Sequence, residues 1–184
     1  MLFRSELDVA VIGAVTGDLP SLVSPAGISD LTIGDPVEAV NETVSQLPEG
    51  IDLVIASIHE GAPNGNSTGD EQAAANPNFR KMWTGIDPRI RVVLGGHTHQ
   101  TYSWTNGKGQ LFTQAGSYAA ALNELKAGVT GDGALCGISN TTTKIDPKAF
   151  DTSLPRIREI TDIVSAAVAK ADEIGARVIG RAHV

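Results

Sequence analysis

Residues 91–100 read RVVLGGHTHQ: a short β-branched apolar run, two glycines, then His97 and His99 one residue apart. An apolar run of this length bounded by turn residues is the pattern of a strand buried on both faces, which belongs to a parallel sheet covered by helices. Gly95 and Gly96 are expected to take backbone angles closed to other residues, so that the chain turns sharply and both imidazoles face one crevice. Neutral imidazole ligates zinc, iron, manganese, cobalt or nickel. Three such rings would suit a mononuclear zinc, and added carboxylates would suit a pair of ions.

Upstream, residues 51–58 (IDLVIASI) form a second apolar run that ends at His59, and residues 8–15 (DVAVIGAV) form another that runs into Thr16-Gly17-Asp18. Both read as buried strands. Between them Asp35 can cap a helix with Pro36 at its first position and Glu38 three residues after the cap. Val37, Val40, Val44 and Leu47 then recur at helical spacing until Pro48. Strand, helix, strand in this order predicts a parallel α/β layer. Residues 61–79, polar and rich in Gly and Asn, read as a mobile surface loop or lid with a short helix over 70–75.

Downstream, residues 111–114, 122–129 and 134–138 read as strands, the last two joined by the hairpin turn Thr130-Gly131-Asp132-Gly133. Residues 153–178 predict a long helix with Pro155 in its first turn. Its apolar stripe is Ile157, Ile160, Val164, Val168, Ala171, Ile174 and Val178. Such a helix either closes over the sheet or bridges to another part of a larger protein.

The 184 residues, 41% of them hydrophobic, suffice for one domain with a buried core. Fourteen Lys+Arg against 21 Asp+Glu give a net charge of -7, the wrong sign for a nucleic acid polymer or an anionic membrane. With 4% aromatic residues, an extended base-stacking surface is not expected. Cys136 is the only cysteine, which excludes an internal disulfide and a thiolate zinc cage, and it reads as a small buried apolar residue. Any metal site must therefore use His and oxygen ligands. No stretch has the length of a membrane span, and Glu6 and Asp8 stand where a secretory signal would be apolar.

Of the four histidines, His59, His97 and His99 each follow a predicted strand. In an open α/β sheet the crevice beyond the carboxyl ends of the strands is where ligands bind, so neighbouring strands would gather these rings. A lone His at a strand end is more often a loop residue bonded to backbone, and it is the His-x-His pair behind Gly-Gly that lifts the metal reading above that alternative. His183 reads as solvated. Glu60 adjoins His59 and so points to the other side of an extended chain, which makes it an unlikely ligand. Asp18 and Asp35 read as turn and cap residues. Asp70 and Glu71 read as solvated loop acids within reach of the crevice.

The segments IGAVTGDLPSLVSP, DLVIASIHEG, RVVLGGHTHQ and LFTQAGSYAAALNELK, in that order, resemble the second half of the metallophosphatase domain of the 5'-nucleotidase family, within the calcineurin-like metallophosphoesterases. The resemblance implies half of an αββα sandwich: a mixed sheet with flanking helices and a long C-terminal helix. It implies that residues 1–150 are the C-terminal half of that domain, 151–180 its linker helix and 181–184 the opening of a C-terminal substrate-binding domain. It further implies that His59 and His97 ligate one metal of a dinuclear centre and His99 the other. Two divalent ions of the Zn, Mn, Fe, Co or Ni class would then clamp the phosphate of a phosphate ester or nucleotide and activate a bridging water.

The family's Asp-x-His and Gly-Asn-His segments occur nowhere in the 184 residues, and Gly17-Asp18 lies in a segment that matches a later strand of the family. The expectation is therefore an internal fragment of a metal-dependent phosphoesterase. It would hold at most one ion, weakly, contribute no catalytic residue of its own and be inactive in isolation. The alternative is a non-catalytic metal- or phosphate-binding module that assembles with another chain. A half sandwich would also expose an apolar face through which copies could oligomerise. By resemblance the parent is exported or held at the cell surface.

Overall fold

The computed structural model describes residues 7–131, 133–146, 148–177 and 180, which leaves His183, Val178 and residues 181–184 outside the described residues. The chain divides into two units, Met1–Ile145 and Asp146–Val184. In chain order the first unit contains β1 (Val9–Val15), α1 (Leu19–Leu22), α2 (Pro36–Ser45), β2 (Leu53–His59), α3 (Gly69–Ala75), α4 (Pro77–Gly85), β3 (Ile90–Leu94), β4 (Thr101–Thr105), β5 (Leu111–Ala115), β6 (Ala121–Val129) and β7 (Leu135–Lys144). Five strands form a mixed sheet in the order β1-β2-β3-β5-β4, and β6 and β7 form a separate hairpin. The first four strands of that order run parallel, and β4 pairs antiparallel with β5.

The helix over α2 starts where its sequence says it should. Asp35 Oδ1 accepts from the backbone N–H of Val37 at 2.8 Å and Glu38 at 3.3 Å, and Pro36 occupies the first turn, where its missing N–H costs nothing. Val37, Val40 and Val44 are the face it buries. α3 is closed by a capping box in which Thr68 and Glu71 bond reciprocally, and Asn76 caps α4 through Phe79 N–H at 2.8 Å. Neither α4 nor β4 is among the elements expected from the sequence pattern. The signals for α4 are nonetheless present in Asn76-Pro77 and in Phe79, Met82, Trp83 and Ile86 at helical spacing.

These helices cover one face of the sheet. Ala10, Ile12 and Ala14 of β1, Val54, Ala56 and Ile58 of β2, Val93 of β3 and Phe112 of β5 pack with Val40, Val44, Phe79, Met82 and Trp83 in one core. Most of the chain's aromatic rings are spent here: Tyr102 stacks on Trp104 with centroids 4.3 Å apart, and Trp83 lies 4.8 Å from Phe112.

The opposite face differs from strand to strand. β1 is not buried on both sides as expected. It is an edge strand whose outward residues Val9, Val11 and Val15 are 46%, 63% and 51% exposed, while Ile12 on the other side is buried. Over β4 and β5 the same face meets the hairpin through a polar cluster in which Asn123 and Asn140 both donate to Thr113 Oγ1, at 2.9 and 3.0 Å. Cys136 on β7 is exposed, not buried as expected; it falls where the hairpin register shifts, between Leu135 paired with Val129 and Gly137 paired with Gly128.

Residues 61–69 are no lid. Ala62 is fully buried, Ala62 N–H donates to Tyr102 Oη at 3.4 Å and Gly65 N–H to Gln100 Oε1 at 3.1 Å. A Cβ at Gly65 would lie 2.5 Å from Thr101 O, and one at Gly69 2.3 Å from the Trp83 ring, so the glycines mark close approach to neighbouring elements. In the second unit, α5 (Pro155–Gly175) places Pro155 in its first turn and carries the Ile157, Ile160, Val164, Val168, Ala171 and Ile174 stripe. Among the described residues no helix is long and apolar enough to cross a membrane.

Candidate functional site

His59 is the last residue of β2, and Gly95 to His99 follow the last residue of β3, the next strand in the sheet. The pairing Ser57↔Leu94 sets the register, and Gly96 N–H donates to Glu60 O at 3.0 Å, so the two strand ends stay joined just past the sheet. As a result the His59 and His97 rings meet edge-on with centroids 5.2 Å apart. His59 lies on the face away from the helices, at an open cleft of about 510 Å³ bordered by Val15, Ser57, Leu94 and Gly96.

The turn is made differently from the expectation. Neither Gly95 nor Gly96 has a positive φ, whereas His97 and His99 do, at 67° and 58°. Thr98 N–H donates to Gly96 O at 2.7 Å across His97, an i to i+2 bond of the strained γ-turn kind. Gly95 and Gly96 are needed for space: a Cβ on Gly95 would lie 2.6 Å from Tyr102 Oη, and one on Gly96 would lie 3.2 Å from His59 Nδ1. The strain therefore sits on the candidate ligands themselves.

Holding two histidines in left-handed backbone needs support from outside the loop. Gln114 on β5, 2% exposed, supplies it. With its amide oriented so that both ends find partners, its Oε1 accepts from His99 N–H at 2.9 Å and Gln100 N–H at 2.8 Å, and its Nε2 donates to Gly96 O at 3.1 Å and Thr98 Oγ1 at 3.0 Å. Beneath it, burial pushes the Tyr102 hydroxyl up to about 12. The signal for this bracket in the sequence is a lone amide side chain in the β5 run LFTQA, which local pattern does not distinguish from an ordinary strand residue.

Glu60 points away from the histidines as expected. Its Oε2 accepts from Thr16 Oγ1 at 2.8 Å and its Oε1 from Gly61 N–H at 3.0 Å, which ties the end of β1 to the end of β2. The other acids are engaged structurally: Asp70 accepts from Trp83 Nε1 at 2.8 Å, Glu71 closes the capping box, and Asp35 caps α2 while pairing with Lys81 at 2.8 Å. His99 turns to a different neighbour, with its ring 5.3 Å from that of Tyr118. Among the described residues no three His, Cys, Asp or Glu side chains gather as a metal-binding group. The three-imidazole mononuclear arrangement is thus not what these residues build.

No family model matches the chain. Endonuclease YhcR of Bacillus subtilis (strain 168) is 33% identical over 119 residues, which are 62% of this chain and 9% of that protein. A Staphylococcus aureus structure assigned as a 5'-nucleotidase, in complex with alpha-ketoglutarate, superposes with a TM-score of 0.61 at 15% identity, covering 88% of this chain and 32% of the other. A 5'-nucleotidase precursor from Thermus thermophilus gives 0.53 at 17%, covering 83% and 30%. The chain thus shares its fold with part of the 5'-nucleotidase structures, as the residue pattern implied, and it spans about a third of those chains and less than a tenth of the endonuclease.

Proposed function

We propose that this chain supplies half of a two-metal centre in a metal-dependent phosphoesterase that acts on nucleotides or nucleotide-derived phosphate esters. The observation that carries this is the approach of His59 and His97. Two imidazoles bound through nitrogen to one ion at about 2.1 Å, at roughly square to tetrahedral angles, hold their ring centres about 4.6–5.3 Å apart. The observed 5.2 Å fits a shared ion. His99, turned aside toward Tyr118, is assigned to the second ion. Divalent ions held there would neutralise phosphate charge and activate a water for attack on phosphorus.

The chain's own residues prepare the site. Gln114 holds the strained loop that carries His97 and His99, and the Gly96 bond to Glu60 O fixes that loop against His59. Among the described residues no Lys or Arg borders the cleft at His59, so an anion there calls for positive charge from bound ions. The remaining ligands are assigned to sequence beyond these 184 residues, which fits relatives about three times as long. The isolated chain then holds at most one ion, weakly, and turns over little substrate. Assembly with a separate chain bearing those ligands is the alternative. Export of the intact protein rests on the precursor name of the Thermus relative.

A second reading concerns the substrate. The 33% identity to an endonuclease favours a phosphodiester within a polynucleotide over a monoester, against the acidic net charge of -7. Titration of Zn2+ and Mn2+ into the chain and its single His→Ala variants tests the site, and the intact parent assayed on AMP and on a single-stranded oligonucleotide tests the substrate. The expected result is one ion or fewer per chain, with affinity lowered at least ~10-fold by His59→Ala and by His97→Ala but little by His99→Ala. Two tight ions per chain, or binding indifferent to His97→Ala, rejects the proposal.

A further inference from the structure

We propose that Gln100 is a positioning residue that turns His99 away from the His59–His97 pair, so that two imidazoles of one short loop serve different ions. The ion role of His99 rests on the phosphoesterase reading above; the geometry that Gln100 imposes does not. His97 and His99 are one residue apart, yet the His97 ring meets His59 with centroids 5.2 Å apart while the His99 ring meets Tyr118 at 5.3 Å. Among the described residues the three imidazoles do not gather as one group. Two ions that share one phosphate lie about 3.5–4 Å apart, so their ligands must be aimed at separate points.

Gln100 is placed to do this, because each of its four hydrogen-bonding groups is engaged. Its backbone N–H donates to Gln114 Oε1 at 2.8 Å and its carbonyl accepts from Gly116 N–H at 2.9 Å, which fixes it to the end of β5. Its side-chain Oε1 accepts from Gly65 N–H at 3.1 Å, and its Nε2 donates to Thr98 O at 3.1 Å. A backbone N–H only donates and a carbonyl only accepts, so these partners also fix which end of the amide is which.

The last of these bonds spans His99. Thr98 O belongs to the peptide that enters His99 and Gln100 N–H to the peptide that leaves it, and both are pinned. The direction in which the His99 side chain leaves the backbone is set by those two peptides. His97 is held otherwise: Thr98 N–H donates to Gly96 O at 2.7 Å across it, and Gln114 Nε2 reaches the same Gly96 O. Anchoring residues 61–69 needs only the Gly65 bond. The return to Thr98 O closes the backbone around His99 alone, and it gives Gln100 a role beyond scaffolding.

The test compares the metal-free chain with its Gln100→Met and Gln100→Glu variants by NMR, and titrates Zn2+ into the wild type and Gln100→Met. Gln100→Met removes both side-chain bonds at nearly equal length. Gln100→Glu keeps the acceptor for Gly65 N–H and loses the donor to Thr98 O, so it isolates the bond across His99 in a chain whose 61–69 segment stays anchored. The wild type is expected to show cross-relaxation between the His99 and Tyr118 rings, and both variants are expected to lose it. Zn2+ affinity in Gln100→Met is expected to stay within about 2-fold of wild type, short of the ~10-fold that loss of an orienting partner costs a ligand in use. Absence of the ring signal from the wild type, its survival in Gln100→Glu, or loss of the fold in Gln100→Glu overturns the proposal. So does a fall in Zn2+ affinity in Gln100→Met as large as in His97→Ala, since Gln100 would then support the loop as a whole. Zn2+ binding indifferent to His97→Ala rejects the metal centre, and the ion role of His99 with it, whatever the ring signal shows.

Discussion

Gly95 and Gly96 are glycine for different neighbours, and substitution should separate them. A methyl on Gly95 meets the hydroxyl of Tyr102, 5% exposed and locked in the aromatic cluster, at 2.6 Å. Nothing there can move, so Gly95→Ala should destabilise the fold by about 1–3 kcal/mol, read as a lower urea midpoint. A methyl on Gly96 meets His59 Nδ1 at 3.2 Å, and His59 is exposed and free to tilt. Gly96→Ala should leave stability nearly unchanged and weaken Zn2+ binding; equal effects of both substitutions on both readouts would refute the distinction. The two glycines are legible in the sequence as special, but as flexible hinges. Their true constraint is contact with Tyr102 and His59, a non-local neighbourhood that no local pattern encodes. For the same reason Gln114, the bracket of the loop, looks like an ordinary strand residue.

At the level of elements, legibility follows locality. The start of α2 is readable because cap, proline and apolar stripe lie within ten residues, while residues 61–69 look mobile because their anchors, Tyr102, Gln100 and Trp83, lie elsewhere in the chain. The cap of α2 also gives the fold a pH dependence. The Lys81 ammonium bonded to Asp35 holds its carboxyl below the ordinary 3.8, against partial burial and with help from the Val37 and Glu38 N–H groups. A depressed carboxylate contributes stability that is present above its ordinary value and lost as pH falls through the folded one. Asp35→Ala should therefore cost about 1 kcal/mol at pH 7. Asp35→Asn keeps a good cap and should flatten the acid limb of a urea-midpoint profile below about pH 4; a profile as steep as the wild type would show that other carboxylates govern it.

For the molecule as a whole, the first unit is a sheet with one finished face and one unfinished face. Helices α2, α3 and α4 close the first, and the β6–β7 hairpin meets the second only over β4 and β5. On the β1 side Val9, Val11 and Val15 stand exposed on a strand that, among the described residues, is also the sheet edge, so apolar surface and a strand edge coincide. That combination favours pairing with whatever matching surface is available, and in a pure solution of this chain the available surface is another copy. Sedimentation velocity at rising concentration should show reversible association. Val11→Lys places a charge at the centre of the open face without touching the core that Ile12 joins from the other side. It should shift the population to monomer while the thermal midpoint stays within a few degrees. Association undiminished by Val11→Lys would mean that copies meet elsewhere, and a collapsed midpoint would mean that this face is already part of the folded core.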